Sequence, residues 1–175
     1  MRKGNMGDVD QVAAIFERIH DEEEAGRAVT GWVRGVYPVR QTAVDAVERG
    51  DLFVEEDGGR IVAAGIINQI QVPEYADCHW QFEARADEVM VLHTLVVDPQ
   101  AAGRGIGMRF VRFYEEYAGE HGCPFLRMDT NERNVRARKL YGRLGYREPG
   151  VVNCTFNGIA GVRLVCLEKK CESGV

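Results

Sequence analysis

The chain has 175 residues, of which 45% are hydrophobic and 28% charged, and its formal net charge is −5. That is enough chain for one domain over residues 1–175 with a real core, and too apolar a composition for a disordered segment. The acidic balance argues against a general nucleic-acid binder, and no apolar run approaches the roughly 20 residues of a membrane span.

The N-terminal Met1-Arg2-Lys3-Gly4-Asn5 leads into polar sequence without a signal-peptide core, so the expected location is the cytoplasm. A short first strand is predicted at Met1–Lys3. Asp8 reads as an N-cap with Gln11 as its capping-box partner. Val9, Val12, Ala13, Ile15, Phe16 and Ile19 then recur at the period of a helix with one buried stripe. A second helix is predicted from about Gln41 to Arg49, stopped by Gly50. Leu52-Phe53-Val54 opens a strand, Asp57-Gly58-Gly59-Arg60 signals a hairpin, and Ile61–Val72 reads as the returning strand. Pro73–Asp87 is irregular. Val89–Val97 is nearly all apolar and β-branched, as suits a central strand buried on both faces. A helix from about Gly105 to His121, a strand at Phe125–Thr130 and a helix at Asn134–Leu144 follow. Val151–Phe156 and Val162–Glu168 read as a closing strand pair around Asn157-Gly158. The order βααβββαβαββ is mixed α/β.

The five cysteines, Cys78, Cys123, Cys154, Cys166 and Cys171, form no CxxC pair, so zinc and thioredoxin-type chemistry are not indicated and no metal is expected. Charge is unevenly spread. Residues 101–150 hold ten Lys or Arg against six Asp or Glu, whereas the rest hold twelve against twenty-one. A basic patch on an acidic chain suits a small polyanion bound at one place.

Val96-Val97-Asp98-Pro99-Gln100-Ala101-Ala102-Gly103-Arg104-Gly105-Ile106-Gly107 carries the most information. A buried strand ends, a glycine-rich turn follows and a helix starts. Such a junction aims free backbone N–H groups and a helix dipole at one spot, where a phosphate is the natural occupant. The dinucleotide pattern GxGxxG fails, because Met108 or Phe110 stands at its last position, and no Gly-Lys-Ser/Thr follows for a nucleotide-triphosphate loop.

What fits is Q/R-x-x-G-x-G, as Gln100-x-x-Gly103-x-Gly105. Downstream, Asn134, Ala137, Leu140, Tyr141, Gly145 and Tyr146 fit N-x-x-A-x-x-L-Y-x-x-x-G-F/Y. With these two motifs the sequence resembles the Gcn5-related N-acetyltransferase superfamily. The resemblance implies a central, mostly antiparallel sheet with one splayed parallel pair, and acetyl-CoA as cosubstrate. It also implies that the backbone at Leu95, Val96 and Val97 meets the pantetheine arm, and that the segment Gln100, Ala102, Gly103, Arg104, Gly105, Ile106 and Gly107 holds the pyrophosphate. Many relatives carry Arg or Lys where Ala102 stands. By the same resemblance Asn134 contacts the cosubstrate or ordered water, and the Tyr141 phenol lies near the CoA sulfur and protonates it as thiolate leaves.

An alkylamine with a pKa near ~10.4 must lose a proton before it can attack a thioester. His93 on the central strand has the ionisation range for that task. Glu88 opens the same strand and resembles a catalytic glutamate of some relatives, though it stands several residues early. Trp32, Tyr37, Tyr75 and Trp80 fall in the two variable stretches and are candidates for walling the acceptor pocket, beside Arg40 and His79. The acidic first hundred residues favour a cationic acceptor. Three functions remain open: acetylation of a small-molecule primary amine, acetylation of protein N-termini or lysines, and CoA sensing without turnover. Self-association as a homodimer also stays open.

Overall fold

The computed structural model describes residues 1–171. Its strands are β1 (Arg2–Lys3), β2 (Leu52–Asp57), β3 (Arg60–Asn68), β4 (Val89–Val97), β5 (Phe125–Asn131), β6 (Arg147–Phe156) and β7 (Ile159–Lys170). Its helices are α1 (Val9–Glu24), α2 (Arg40–Arg49), α3 (Ile106–Glu120) and α4 (Val135–Arg143). The element order is the one the sequence predicts. The strands form one sheet in the order β1-β2-β3-β4-β5-β7-β6, antiparallel except for the parallel pair β4–β5.

Helices cover both faces. On one, Val9, Val12, Ile15 and Phe16 of α1 pack with Ala43 and Ala46 of α2 against Val54, Ala64 and Val96. On the other, Ile106, Phe110 and Tyr114 of α3 and Tyr141 of α4 pack against Met90, Leu92, Met128 and Val165. β4 is thus buried from both sides, which accounts for its apolar run.

Several local predictions shift. Asn5 caps a short turn at Met6–Asp8, with its Oδ1 accepting from the Gly7 N–H at 2.8 Å, and Asp8 answers through the Asn5 N–H at 2.9 Å. Asp8 therefore does not cap α1 with Gln11. Arg2 donates to its carboxylate, and Gln11 instead accepts from the Ile61 N–H. β3 stops at Asn68 rather than Val72, because the Asn68 side chain accepts from the Ile70 N–H and turns the chain. The last two strands run longer than the apolar pattern suggests, since their mutual pairing holds residues of both polarities.

The pair β4–β5 positions the site. Their pairing runs from Val89↔Phe125 to Leu92↔Met128 and then ends, although both strands continue. The divergence coincides with a bulge. Ala64 faces Val96 and Ile66 faces His93, so β4 carries one residue more than β3. Thr94, at φ 49°, absorbs it in the left-handed region, a conformation that costs a β-branched residue on the order of 1–3 kcal/mol. The bulge bends β4 away from β5 and leaves its far edge without a strand partner.

Candidate functional site

A cavity of about 800 Å³ opens at this divergence. Every residue from Leu92 to Val97 borders it. A regular strand, whose side chains alternate between faces, would not permit that; the bulge exposes backbone as well as side chains. Below the opening Ile106 and Gly107 of α3 and Asn134, Ala137, Leu140 and Tyr141 of α4 line the same space.

The glycine loop is held from behind. Asp98, almost fully buried, receives Arg18 Nε and Nη2 at 2.9 Å each and accepts from the Gln100 N–H at 3.0 Å. Gly103 (φ 83°) and Gly105 (φ 71°) then adopt left-handed conformations that only glycine enters cheaply. A Cβ on Gly103 would meet nothing within 4 Å, so backbone shape, not crowding, requires that glycine. The first backbone hydrogen bond of the new helix is Arg109 N–H to Gly105 O. Among the described residues, the N–H groups from Gly103 to Met108 have no acceptor. They form the run of free donors, at the positive end of α3, that the sequence predicts for a phosphate.

The side chains around the loop differ from expectation. Arg104 leaves the cavity and pairs with Asp57 at 2.6 Å, and Gln100 accepts from Arg60 at 3.1 Å. Neither lines the cavity. Arg27 does, paired with Glu22, and so do Arg136, Lys139 and Arg143 of α4, the latter three spaced to fall on one helix face. The three α4 cations are exposed, and among the described residues none of them has a carboxylate partner. They lie in the basic stretch 101–150, but neither motif singles them out; their i, i+3, i+7 spacing is the signal that does.

Asn134 caps α4, its Oδ1 accepting from the Ala137 N–H at 3.2 Å, and also borders the cavity. Tyr141 is buried in the cavity wall with its ring edge-on to Tyr146 at 6.1 Å. Its hydroxyl has no hydrogen-bond partner among the described residues, and burial raises its pKa well above the ordinary phenol value.

Similarity to known proteins bears on this geometry. The profile of the acetyltransferase (GNAT) family matches residues 15–146, from within α1 to the end of the α4 signature. The chain belongs to that family. An uncharacterized N-acetyltransferase of Methanocaldococcus jannaschii is 36% identical over 76 residues, 43% of this chain and 34% of that protein. One from Bacillus subtilis is 37% identical over 70 residues, 39% of this chain and 47% of that protein. The chain thus spans about a third of the first relative and about half of the second. The crystal structure of a GNAT-family acetyltransferase from Streptococcus agalactiae superposes with a TM-score of 0.81 at 23% identity, covering 98% of this chain and 94% of that one. That likeness concerns the fold.

The residues expected on the acceptor side divide. Trp32 and Tyr37 line the cavity from the α1–α2 connection. This connection is tied down: Glu23 accepts from the Thr30 N–H at 2.6 Å and the Gly31 N–H at 3.1 Å, and His20 Nε2 donates to Pro38 O at 3.0 Å. The Tyr37 hydroxyl bonds the Thr94 hydroxyl, clamping the connection to the bulge. Tyr75 and Trp80 do not line the cavity. Tyr75 is buried beneath it, and Trp80 donates to Tyr75 O at 2.9 Å and stacks on the Arg127 guanidinium.

Glu88 stands at the wrong end of β4. It closes a short turn by accepting from the Arg85 N–H at 3.0 Å, and the five strand residues Val89–His93, a span of roughly 20 Å, separate it from Thr94. It does not border the cavity. His93 does, and its Nε2 hydrogen-bonds Asn68 Oδ1 at 3.0 Å. Burial depresses its pKa to about 4, so it is neutral at pH 7 yet a weak base. A carboxylate not anticipated from sequence, Asp129 of β5, also lines the cavity. No group of three or more potential metal ligands occurs among the described residues.

Proposed function

We propose that this protein transfers the acetyl group of acetyl-CoA to the primary amine of a small molecule, by direct attack of the amine on the thioester. One observation carries the reading: the unpaired N–H groups from Gly103 to Met108 stand at the mouth of the β4–β5 divergence. Those donors suit a diphosphate, and the unpaired edge of β4 beyond Leu92 suits an extended, amide-bearing arm that adds as a further strand. Arg136, Lys139 and Arg143 supply positive charge on the neighbouring helix for the remaining phosphate.

The chemistry follows from what borders the cavity. The free backbone donors of β4 beside the bulge are placed to stabilise the oxyanion that develops on the thioester carbonyl. The Tyr141 hydroxyl has no hydrogen-bond partner among the described residues, and its raised pKa keeps it protonated at neutral pH. It donates that proton to sulfur as the C–S bond breaks and is restored by a proton from the attacking nitrogen. The cavity continues past the divergence to walls from the α1–α2 connection and β6–β7, which leaves the amine a separate approach.

Calorimetry with acetyl-CoA, followed by thioester consumption across a panel of free amines and short peptides, tests the proposal. Binding with turnover of free amines is expected. Turnover of peptides alone would place the acceptor among proteins. Tight binding without turnover would make the chain a CoA sensor, and absence of CoA binding would overturn the reading.

A further inference from the structure

At the acceptor end of the cavity one carboxylate has no cationic partner among the described residues. Two carboxylates border the cavity, Glu22 and Asp129. Glu22 is bound to Arg27 at 2.8 Å and lies on the rim. Asp129 lies deeper, on β5, one residue past the last β4–β5 pair and so at the divergence itself. Among the described residues it has no cationic partner. Its Oδ2 accepts from the Tyr75 hydroxyl at 2.7 Å, and its Oδ1 accepts no hydrogen bond from the described residues. The surrounding walls are Trp32, Val72, Phe156, Ile159, Val162 and Leu164. A half-buried carboxylate among apolar side chains, hydrogen-bonded on one oxygen only, is stable as an anion when a cation meets the other.

We propose that Asp129 binds the acceptor's ammonium group and takes its proton, and that the acceptor is a primary monoamine on an apolar body without a carboxylate next to the amine. This rests on the function proposed above. Tyr75 is the positioning residue: buried, packed on Trp80 at 5.1 Å, it fixes the carboxylate through its hydroxyl. An acceptor carboxylate in the same place would be desolvated beside Asp129 and repelled.

The protons balance. One N–H proton of the ammonium passes to the Asp129 carboxylate and on to solvent. The freed lone pair forms the C–N bond, the C–S bond breaks, and its electron pair leaves on sulfur. Tyr141 gives sulfur its proton and is restored by the second proton from nitrogen. The products are the amide, CoA thiol and one proton in solution.

Burial raises the Asp129 pKa to about 6, with the Glu74 charge adding to the rise and the Tyr75 hydrogen bond opposing it. The groups facing Asp129 are Tyr75 and Glu74 from the Pro73–Asp77 turn, Tyr37 from the α1–α2 connection, Tyr141 from α4, and Cys154 and Cys166 from β6 and β7. All the phenols and thiols among them are raised and stay neutral near pH 7. Asp129 gains its proton near pH 6, so kcat/KM should fall below about that pH as its carboxylate is protonated.

The test compares wild type, Asp129→Asn and Tyr75→Phe with phenethylamine, trifluoroethylamine (already neutral at pH 7) and phenylalanine, following CoA release, with CoA binding measured by calorimetry on each protein. Wild type should prefer phenethylamine to phenylalanine. Asp129→Asn should keep CoA affinity within about twofold, lose on the order of 10²-fold in kcat/KM for phenethylamine, lose the acid limb, and lose less with trifluoroethylamine. Tyr75→Phe keeps the carboxylate, and should move the acid limb to higher pH. Near wild-type activity in Asp129→Asn, an acid limb unmoved in both variants, or preference for phenylalanine would each overturn the assignment. So would CoA binding without turnover of any monoamine. Failure of wild type to bind CoA would instead remove the proposed function beneath it.

Discussion

Replacing Tyr141 by Phe isolates a single hydroxyl. The ring stays in its wall of the cavity, edge-on to Tyr146, and no protein hydrogen bond is lost because the hydroxyl makes none among the described residues. The stability change should therefore lie within about 0.5 kcal/mol. Nor does the change touch the free N–H groups of the glycine loop or the α4 cations, so CoA affinity should hold. The cost falls on the departing thiolate. Loss of a positioned general acid lowers kcat by about 10²-fold, which is about 2.7 kcal/mol at the transition state. The assay is steady-state thiol release at saturating acceptor, with KM for acetyl-CoA and thermal unfolding measured alongside. A variant that retains more than a third of wild-type kcat would refute the assignment of the proton to Tyr141. A variant that loses CoA affinity in step with kcat would show a binding role instead.

Three further outcomes follow from the geometry. Gly65 lies at the β3 side of the bulge, where an added Cβ would stand 2.8 Å from Phe110, so Gly65→Ala should lower stability by about 1–3 kcal/mol in denaturant unfolding and disturb the cleft with it. Joint replacement of Arg136, Lys139 and Arg143 by Ala should weaken CoA binding by roughly 10-fold or more at low salt and flatten its salt dependence, because exposed cations act through screened charge; equal salt slopes in both proteins would contradict their role. His93 has a folded pKa of about 4, below its ordinary 6.5, so the fold binds fewer protons there than the unfolded chain does. Its contribution is present above pH 6.5 and lost as pH falls towards 4, by at most about 3 kcal/mol. His93→Gln should flatten that part of the acid-stability curve, and an unchanged curve would show that the ring is solvated.

The fold was largely legible because its signals are local. The stripe of α1, the hairpin glycines, the β-branched run of β4 and the strand–glycine–helix junction each reflect the chemistry of neighbouring residues, and their order fixes the architecture. The glycine motif likewise sets the run of free N–H donors through backbone conformation, which sequence encodes directly in Gly103 and Gly105. Interactions across the sheet were not legible. The residue that absorbs the bulge, Thr94, is ordinary in sequence; its left-handed backbone follows from pairing with β3 on one side and parting from β5 on the other. Arg104 turns to Asp57, 47 residues away, and Tyr75 reaches Asp129 across 54, so one loop arginine leaves the site and one unremarkable aspartate enters it. Sequence alone determined where an anion's cradle would form, because a helix N-terminus makes its own donors. Only the tertiary structure decided which carboxylate would face the acceptor, because burial and charge depend on what folding brings alongside.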